Sequence, residues 1–152
     1  MKADDRIQLN ELIVFTGVCL DQENFEGYLS SFCDDAEYQV VSIVPEIAQT
    51  VAWLDLTKPA LESLLMSADR HTWNTGLRTH HIAAATFSFE PAHADTVSSV
   101  SIFRTDAEGN TKLYAVGRYY DRWVRSADSW LLAKRTLQLD TRVLAPPSGM
   151  PM

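Results

Sequence analysis

The chain has no uninterrupted apolar run near the roughly 18 residues that a bilayer-spanning helix needs. Its first apolar stretch, from Ile7 to Phe15, is broken by Gln8, Asn10 and Glu11. Neither a membrane span nor a signal peptide is expected. Positive charge is also short: 13 Lys and Arg stand against 20 Asp and Glu, a formal net charge of -7 with a pI near 4.9. Neutralising nucleic-acid phosphates takes clustered cations, so that class of partner is not expected. The six glycines are scattered and form neither Gly-x-Gly-x-x-Gly nor a phosphate-cradling loop, and Gly-x-Ser-x-Gly is missing too. The four histidines and two cysteines make no His-x-x-x-His or Cys-x-x-Cys spacing, so no metal site is expected.

What is present fits one globular domain spanning 1–152. That length is the usual size of a unit with its own core, and 46% hydrophobic with 22% charged residues is a globular composition. Cys19 and Cys33 sit among Val18, Leu20 and Phe32 in segments that read as helical, as buried free thiols do, which suits a reducing, cytoplasmic setting. A Cys19–Cys33 disulfide is the alternative.

Asp4 and Asp5 can cap a first helix with Leu9, Leu12, Ile13, Thr16, Cys19 and Leu20 on one stripe. Asn24 caps a second, with Phe25, Tyr28, Leu29 and Phe32 inward and Cys33 to Ala36 as its end. A strand over 37–44 stops at Pro45. After a connection through Trp53 and Asp55, Thr57 caps a third helix, with Pro59 in its first turn and Leu61, Leu64, Leu65 and Ala68 at helical spacing, running to about Trp73. From Arg78 the period changes to two, giving strands near 78–90, 96–105, 112–126 and 130–143 joined by polar turns. The tail from Ala145 reads as an extended loop. Helices early and strands late predict an α+β fold, a curved antiparallel sheet packed on three N-terminal helices.

His80 and His81 are adjacent on a strand and face opposite sides, so they cannot serve one metal ion. The more apolar set Ala83, Ala85 and Phe87 favours His81 as the inward one, where it could be a core histidine or a general base. Other acid–base candidates are Tyr28, Tyr38, Asp34 and Asp35, each equally suited to a core or capping role. On the strand 113–125, Arg118, Tyr120 and Arg122 share one face. Tyr, Trp and Arg are the types enriched at protein interfaces, so Arg78, His80, His81, Arg118, Tyr120, Trp130 and Arg135 are candidates for a subunit interface.

Four landmarks fall in a familiar order: Phe32, Asp35, Tyr38 and Val40; then Arg78, His80, His81 and Ile82; then the closing hairpin with Gly117, Tyr119, Asp121, Trp130, Leu132, Arg135, Asp140 and Thr141; then the short tail from Gly149 to Met152. Together they resemble the small (β) subunit of Rieske-type aromatic-ring-hydroxylating oxygenases, and the element order resembles the cone fold of nuclear transport factor 2. The resemblance implies an assembly subunit with no catalytic residue and no cofactor of its own. Its partner would be a large α subunit carrying the Rieske [2Fe-2S] cluster and mononuclear Fe(II), in a ring of three α and three β subunits. NADH would supply electrons and dioxygen would be inserted into an aromatic, carboxylated substrate. The short tail, Gly149 to Met152, resembles members acting on such acids. The alternative from another class is a stand-alone cone-fold isomerase, dehydratase or cyclase using His81 with an Asp or Tyr.

Overall fold

In the computed structural model, which describes residues 3–71, 76–144 and 152, three helices pack on one seven-stranded sheet. The first helix, α1 (Ala3–Asp21), lays Leu9, Ile13, Thr16, Gly17, Cys19 and Leu20 against the sheet. This is the stripe its three- and four-residue spacing predicts, since such positions share one helical face. Asp4 and Asp5 stand in its first turn, and Asp5 is buried against Arg125 at 2.7 Å. Gly17 is where α1 meets the sheet most closely: a Cβ there would lie 2.7 Å from Ile82 Cδ1 and 3.3 Å from His80 Cβ. Asn24 caps α2 (Phe25–Ser30) as expected, its side chain accepting from the Gly27 N–H at 3.0 Å.

The chain turns into β1 (Phe32–Val44) earlier than the helical spacing of Phe32 suggests, so Cys33 lies on a strand and not a helix. Phe32 is apolar enough to serve either period, and the ladder decides: the Leu132 N–H donates to the Ser31 carbonyl at 2.8 Å and Phe32 pairs with Leu132. A bulge between Phe32 and Glu37 then absorbs the polar residues between them. Cys19 and Cys33 are both free thiols. A 3-10 turn at Pro45–Ile47 and Ala48 in the left-handed region (φ 49°) lead into β2 (Gln49–Thr57), an edge strand where a connection was expected. Most of its residues are exposed, so the one-sided alternation that reveals a strand is weak.

Helix α3 (Lys58–His71) starts directly after Thr57, with Leu61 and Leu65 buried; Trp73, its expected end, and the side chain of Ala68 lie outside the described residues. So does all of the expected tail loop except Met152. The strand expected over 78–90 is two: β3 (Leu77–Ile82) and β4 (Thr86–Phe89), both antiparallel to β5 (His93–Thr105). The break falls at Ala83–Ala85, where the Ala83 N–H still reaches the Ser99 carbonyl but the Ala85 N–H turns to Asn10 Oδ1 on α1 at 2.9 Å.

β6 (Thr111–Ser126) and β7 (Ser129–Leu139) form the expected closing hairpin. The sheet order is β2-β1-β7-β6-β5-β3, with β4 also on β5. One pairing departs from the antiparallel expectation: β1 runs parallel to β7, making the sheet mixed. A parallel pair needs a long crossover, here supplied by everything between β1 and β7. On β6 the two faces are unequal: Gly117, Tyr119, Asp121 and Trp123 are buried, whereas Arg118, Tyr120 and Arg122 are exposed.

Candidate functional site

Register across the sheet places one polar row inside the cone. Tyr38 on β1 lies beside Arg135 on β7, Arg135 beside Asp121 on β6, and Asp121 beside Thr96 on β5. Each points inward because β1, β5, β6 and β7 bury alternate residues. Arg135 and Asp121 form a bidentate pair, Nε to Oδ1 at 2.9 Å and Nη2 to Oδ2 at 2.7 Å, with neither side chain exposed at all. Arg135 Nη1 donates to Thr16 Oγ1 on α1 at 2.8 Å, and the Thr16 hydroxyl donates to the Ile13 carbonyl at 2.6 Å. The Tyr119 ring stacks 4.2 Å from Arg135 Cζ. Trp123 Nε1 donates to Thr96 Oγ1 at 3.0 Å, closing the row.

A buried ion pair persists only when nearly every proton and lone pair finds a partner. Burial alone works against the Arg135 charge, but Asp121 and the neighbouring phenols carry its pKa above the ordinary arginine value. Burial also raises the Asp121 carboxyl, and the opposing pull of Arg135 keeps it ionised. Tyr28, Tyr38 and Tyr119 are all fully buried, and desolvation raises each phenol. They therefore stay protonated, as hydrogen-bonding groups.

A second polar cluster ties α1 to β3. The Asp21 carboxylate accepts from the His80 backbone N–H at 3.0 and 3.1 Å and lies 2.5 Å from His80 Nδ1. Burial lowers the His80 pKa and the Asp21 hydrogen bond only partly offsets it, so the imidazole is neutral with its proton on Nδ1. Its Nε2 is buried and has no hydrogen-bond partner among the described residues. Arg78 lies on the same face, its Nη2 donating to the Leu20 carbonyl at 3.4 Å. The apolar neighbours predicted the wrong member of the histidine pair: His80 faces inward and His81 outward, against Phe103. The reason is α1, whose Asp21 supplies the partner that a buried imidazole requires and which no pattern within the strand discloses.

The expected candidates thus divide. Tyr28 and Tyr38 join the interior row, while Asp34 and Asp35 are exposed near the start of β1, Asp34 facing Lys58 at 3.4 Å. Of the interface candidates, Trp130 and Arg135 are core residues, 4% and 0% exposed, and cannot meet a partner directly. Trp130 lies under Arg125, whose Cζ is 4.3 Å from its ring. Arg78 and His80 face the helices. His81, Arg118 and Tyr120 are the exposed ones. Asp21 and Thr16 were missed as polar partners; a carboxylate ending an apolar helix was the only signal for Asp21.

The outer face of the sheet is charge-matched. Arg122 grips Asp95 at 2.8 and 3.0 Å, Arg118 approaches Asp140 at 3.3 Å and Lys134 meets Glu37 at 3.0 Å. Tyr120 stands 40% exposed among them. Such pairs add little stability but leave an oriented polar surface around an exposed aromatic. Helix α1 also exposes Ile7, Val14, Phe15 and Val18. Among the described residues no three His, Cys, Asp or Glu side chains group as metal ligands, and no helix is long and apolar enough to cross a membrane.

Residues 1–136 match the sequence model of the SnoaL-like domain. The chain is 27% identical over 141 residues to the β subunit of 2-aminobenzenesulfonate 2,3-dioxygenase from an Alcaligenes species, covering 92% of this chain and 94% of that one. It is 26% identical over 146 residues to the hydroxylase β subunit of methanesulfonate monooxygenase from Methylosulfonomonas methylovora, covering 89% and 80%. Among solved structures, the β subunit of a candidate aromatic-ring-hydroxylating dioxygenase from Novosphingobium aromaticivorans superposes with a TM-score of 0.85 at 24% identity, covering 97% of this chain and 96% of that one.

Proposed function

The chain belongs to the SnoaL-like domain family, and from that premise we propose that it is the β subunit of a multicomponent ring-hydroxylating oxygenase, a structural part that supports a larger catalytic subunit. Its relatives among oxygenase β subunits span nearly its whole length, which supports this reading over others in a family of varied functions. The observation that carries it is the fully buried Arg135–Asp121 pair. The acid and the base best placed for chemistry in the cone are spent on each other and on Thr16, which suits a rigid support better than a reaction chamber.

On this reading the Rieske [2Fe-2S] cluster and mononuclear Fe(II) belong to the α subunit, with three α and three β chains in the cytoplasmic assembly. The exposed Arg118, Tyr120 and His81 are the residues offered to neighbouring subunits. The substrate is an acid-bearing molecule. The sequence resemblance pointed to carboxylated aromatics, and the two relatives are named for sulfonates. Co-expression with the genomic neighbours, followed by measurement of the mass and iron content of the purified complex, tests the proposal. A hetero-oligomer with iron confined to the larger chain is expected. An iron-free homo-oligomer that captures no larger chain refutes it.

One observation favours a second reading, a stand-alone isomerase or dehydratase: the Asp21–His80 pair leaves a buried Nε2 with no hydrogen-bond partner among the described residues. The general base would then be His80, with His81 excluded by its outward position. Loss of turnover in His80→Gln, in a chain active without any partner, would select this reading.

A further inference from the structure

Helix α1 carries apolar residues on two opposite faces. One face, from Leu9 to Leu20, packs on the sheet. The other holds Ile7, Val14, Phe15 and Val18, which are 41–58% exposed. A surface helix ordinarily keeps its apolar residues to the face it buries and is polar on the opposite one. Positions 7, 14, 15 and 18 recur at helical steps with Asp4 and Glu11, so these six residues share the outward face. Val14, Phe15 and Val18 line an open hollow there, with Asn10 and Glu11 at its border.

The charge on that face has one sign. The one cation of α1, Arg6, turns toward β4, its Cζ 5.4 Å from the Phe87 ring. Asp4, Glu11 and Asp128 surround the N-terminal end of the stripe. Arg125 lies there too, but it is bound to Asp5 at 2.7 Å and stacked over Trp130.

These features select the occupant. The stripe is centred between Glu11 and Val14, so two copies laid antiparallel on it bring their Glu11 carboxylates within about one helical turn of each other, and a parallel pair sets them face to face. Like charges in a contact that excludes water disfavour a second copy. A strand gains nothing either, because a helix satisfies its own backbone groups and leaves none to pair. An amphipathic helix with apolar side chains at three- and four-residue spacing and a Lys or Arg beside them matches both the hollow and the carboxylates.

We propose that the outward face of α1 is the docking surface for such a helix, supplied by the larger subunit, with Phe15 as its central apolar contact and Glu11 as its charged one. The surface belongs to the oxygenase-subunit reading and rests on it. Helix α1 covers the inner face of the sheet and Arg118 and Tyr120 stand on the outer one, so the two surfaces lie on opposite sides of the chain. A chain with contact surfaces on opposite sides sits between neighbours.

The test co-expresses the chain with its genomic neighbours and follows dissociation of the purified complex on dilution by mass photometry. The triple variant Val14→Ala, Phe15→Ala, Val18→Ala removes the apolar contact. Alanine is the strongest helix former, so α1 stays helical, and a thermal midpoint of the isolated variant no lower than the native one checks this. The Kd of the complex is expected to rise at least tenfold. Phe15→Ala alone serves the comparison if the triple variant loses its cooperative transition. Glu11→Gln is expected to weaken the complex about threefold at about 50 mM salt and to flatten the further loss on going to about 300 mM. Failure of the native chain to join any larger chain refutes the oxygenase-subunit reading and this docking surface with it. With a native complex in hand, three results overturn the docking surface alone: an unchanged Kd in the alanine variants, no effect of Glu11→Gln on affinity or salt response, or a self-association of the isolated chain that the alanine variants abolish.

Discussion

Replacing Asp121 by Asn keeps the shape of the interior row and removes one charge, so it isolates what the Arg135–Asp121 pair does. Arg135 would remain in a site with no exposure to solvent, facing a neutral amide where a carboxylate received two of its hydrogen bonds. Breaking a buried pair from one side costs about 3–5 kcal/mol, because an uncompensated charge stays behind. Against a typical domain stability of roughly 5–15 kcal/mol this is a large share. With a urea m-value of about 2 kcal/mol/M, the unfolding midpoint should fall by about 2 M, and the thermal midpoint by roughly 6–20 °C. Urea titrations followed in parallel by tryptophan fluorescence and far-UV circular dichroism measure it, since Trp123 sits next to the pair through Thr96. The double variant Asp121→Leu with Arg135→Met should recover to within about 1–2 kcal/mol of the native chain, because apolar replacement removes both desolvation costs. Thr16 loses a donor in that variant but keeps its bond to the Ile13 carbonyl, so no proton is stranded. A loss below about 1 kcal/mol for Asp121→Asn, or a double variant no more stable than the single, would refute the claim that this pair organises the interior.

Acid should weaken the fold through His80. Its pKa is lowered in the folded chain, so the unfolded chain binds the proton first as pH drops through the ordinary histidine value; stability is full above about pH 6.5 and declines below it. Thermal midpoints measured from pH 8 to pH 5 should show this slope, and His80→Gln should flatten it. Gly117→Ala should cost more than Gly17→Ala: a Cβ at Gly117 would lie 2.3 Å from the Gln138 carbonyl oxygen and force β6 from β7, whereas at Gly17 it meets the movable Ile82 side chain. Denaturant midpoints of the two variants decide the order. Arg118→Glu and Tyr120→Ala should leave the isolated chain within about 0.5 kcal/mol of native stability but weaken its association with a larger subunit, as read by size-exclusion chromatography of the co-expressed chains.

Much of the cone was legible because its elements obey a period. The α1 stripe and the closing hairpin follow from apolar spacing, and Asn24 from capping chemistry. Long-range geometry accounts for what spacing could not supply. No local pattern announces that β1 runs parallel to β7, because the pairing joins residues such as Tyr38 and Arg135 from opposite ends of the chain. β2 went unseen because an exposed edge strand has no buried face to alternate with. His80 was misassigned for a related reason: its inward turn is fixed by Asp21, which lies on another element. Arg135 reads as an interface residue in the sequence because a guanidinium suggests a surface, and its carboxylate lies across the ladder on another strand.

The parallel β1–β7 pairing also sets an order of events during synthesis. β1 leaves the ribosome with only β2 to pair with, and its other edge waits until β7 has been made. Contacts of such sequence separation form late and slow folding, and an unpaired edge in the meantime invites association with other nascent chains. The closing hairpin therefore carries a kinetic duty beyond its place in the sheet: its arrival converts two open half-sheets into one surface. The outer face that carries Arg118 and Tyr120 is continuous across the sheet only once β7 has joined β1 to β6, so recognition there would select for the paired sheet.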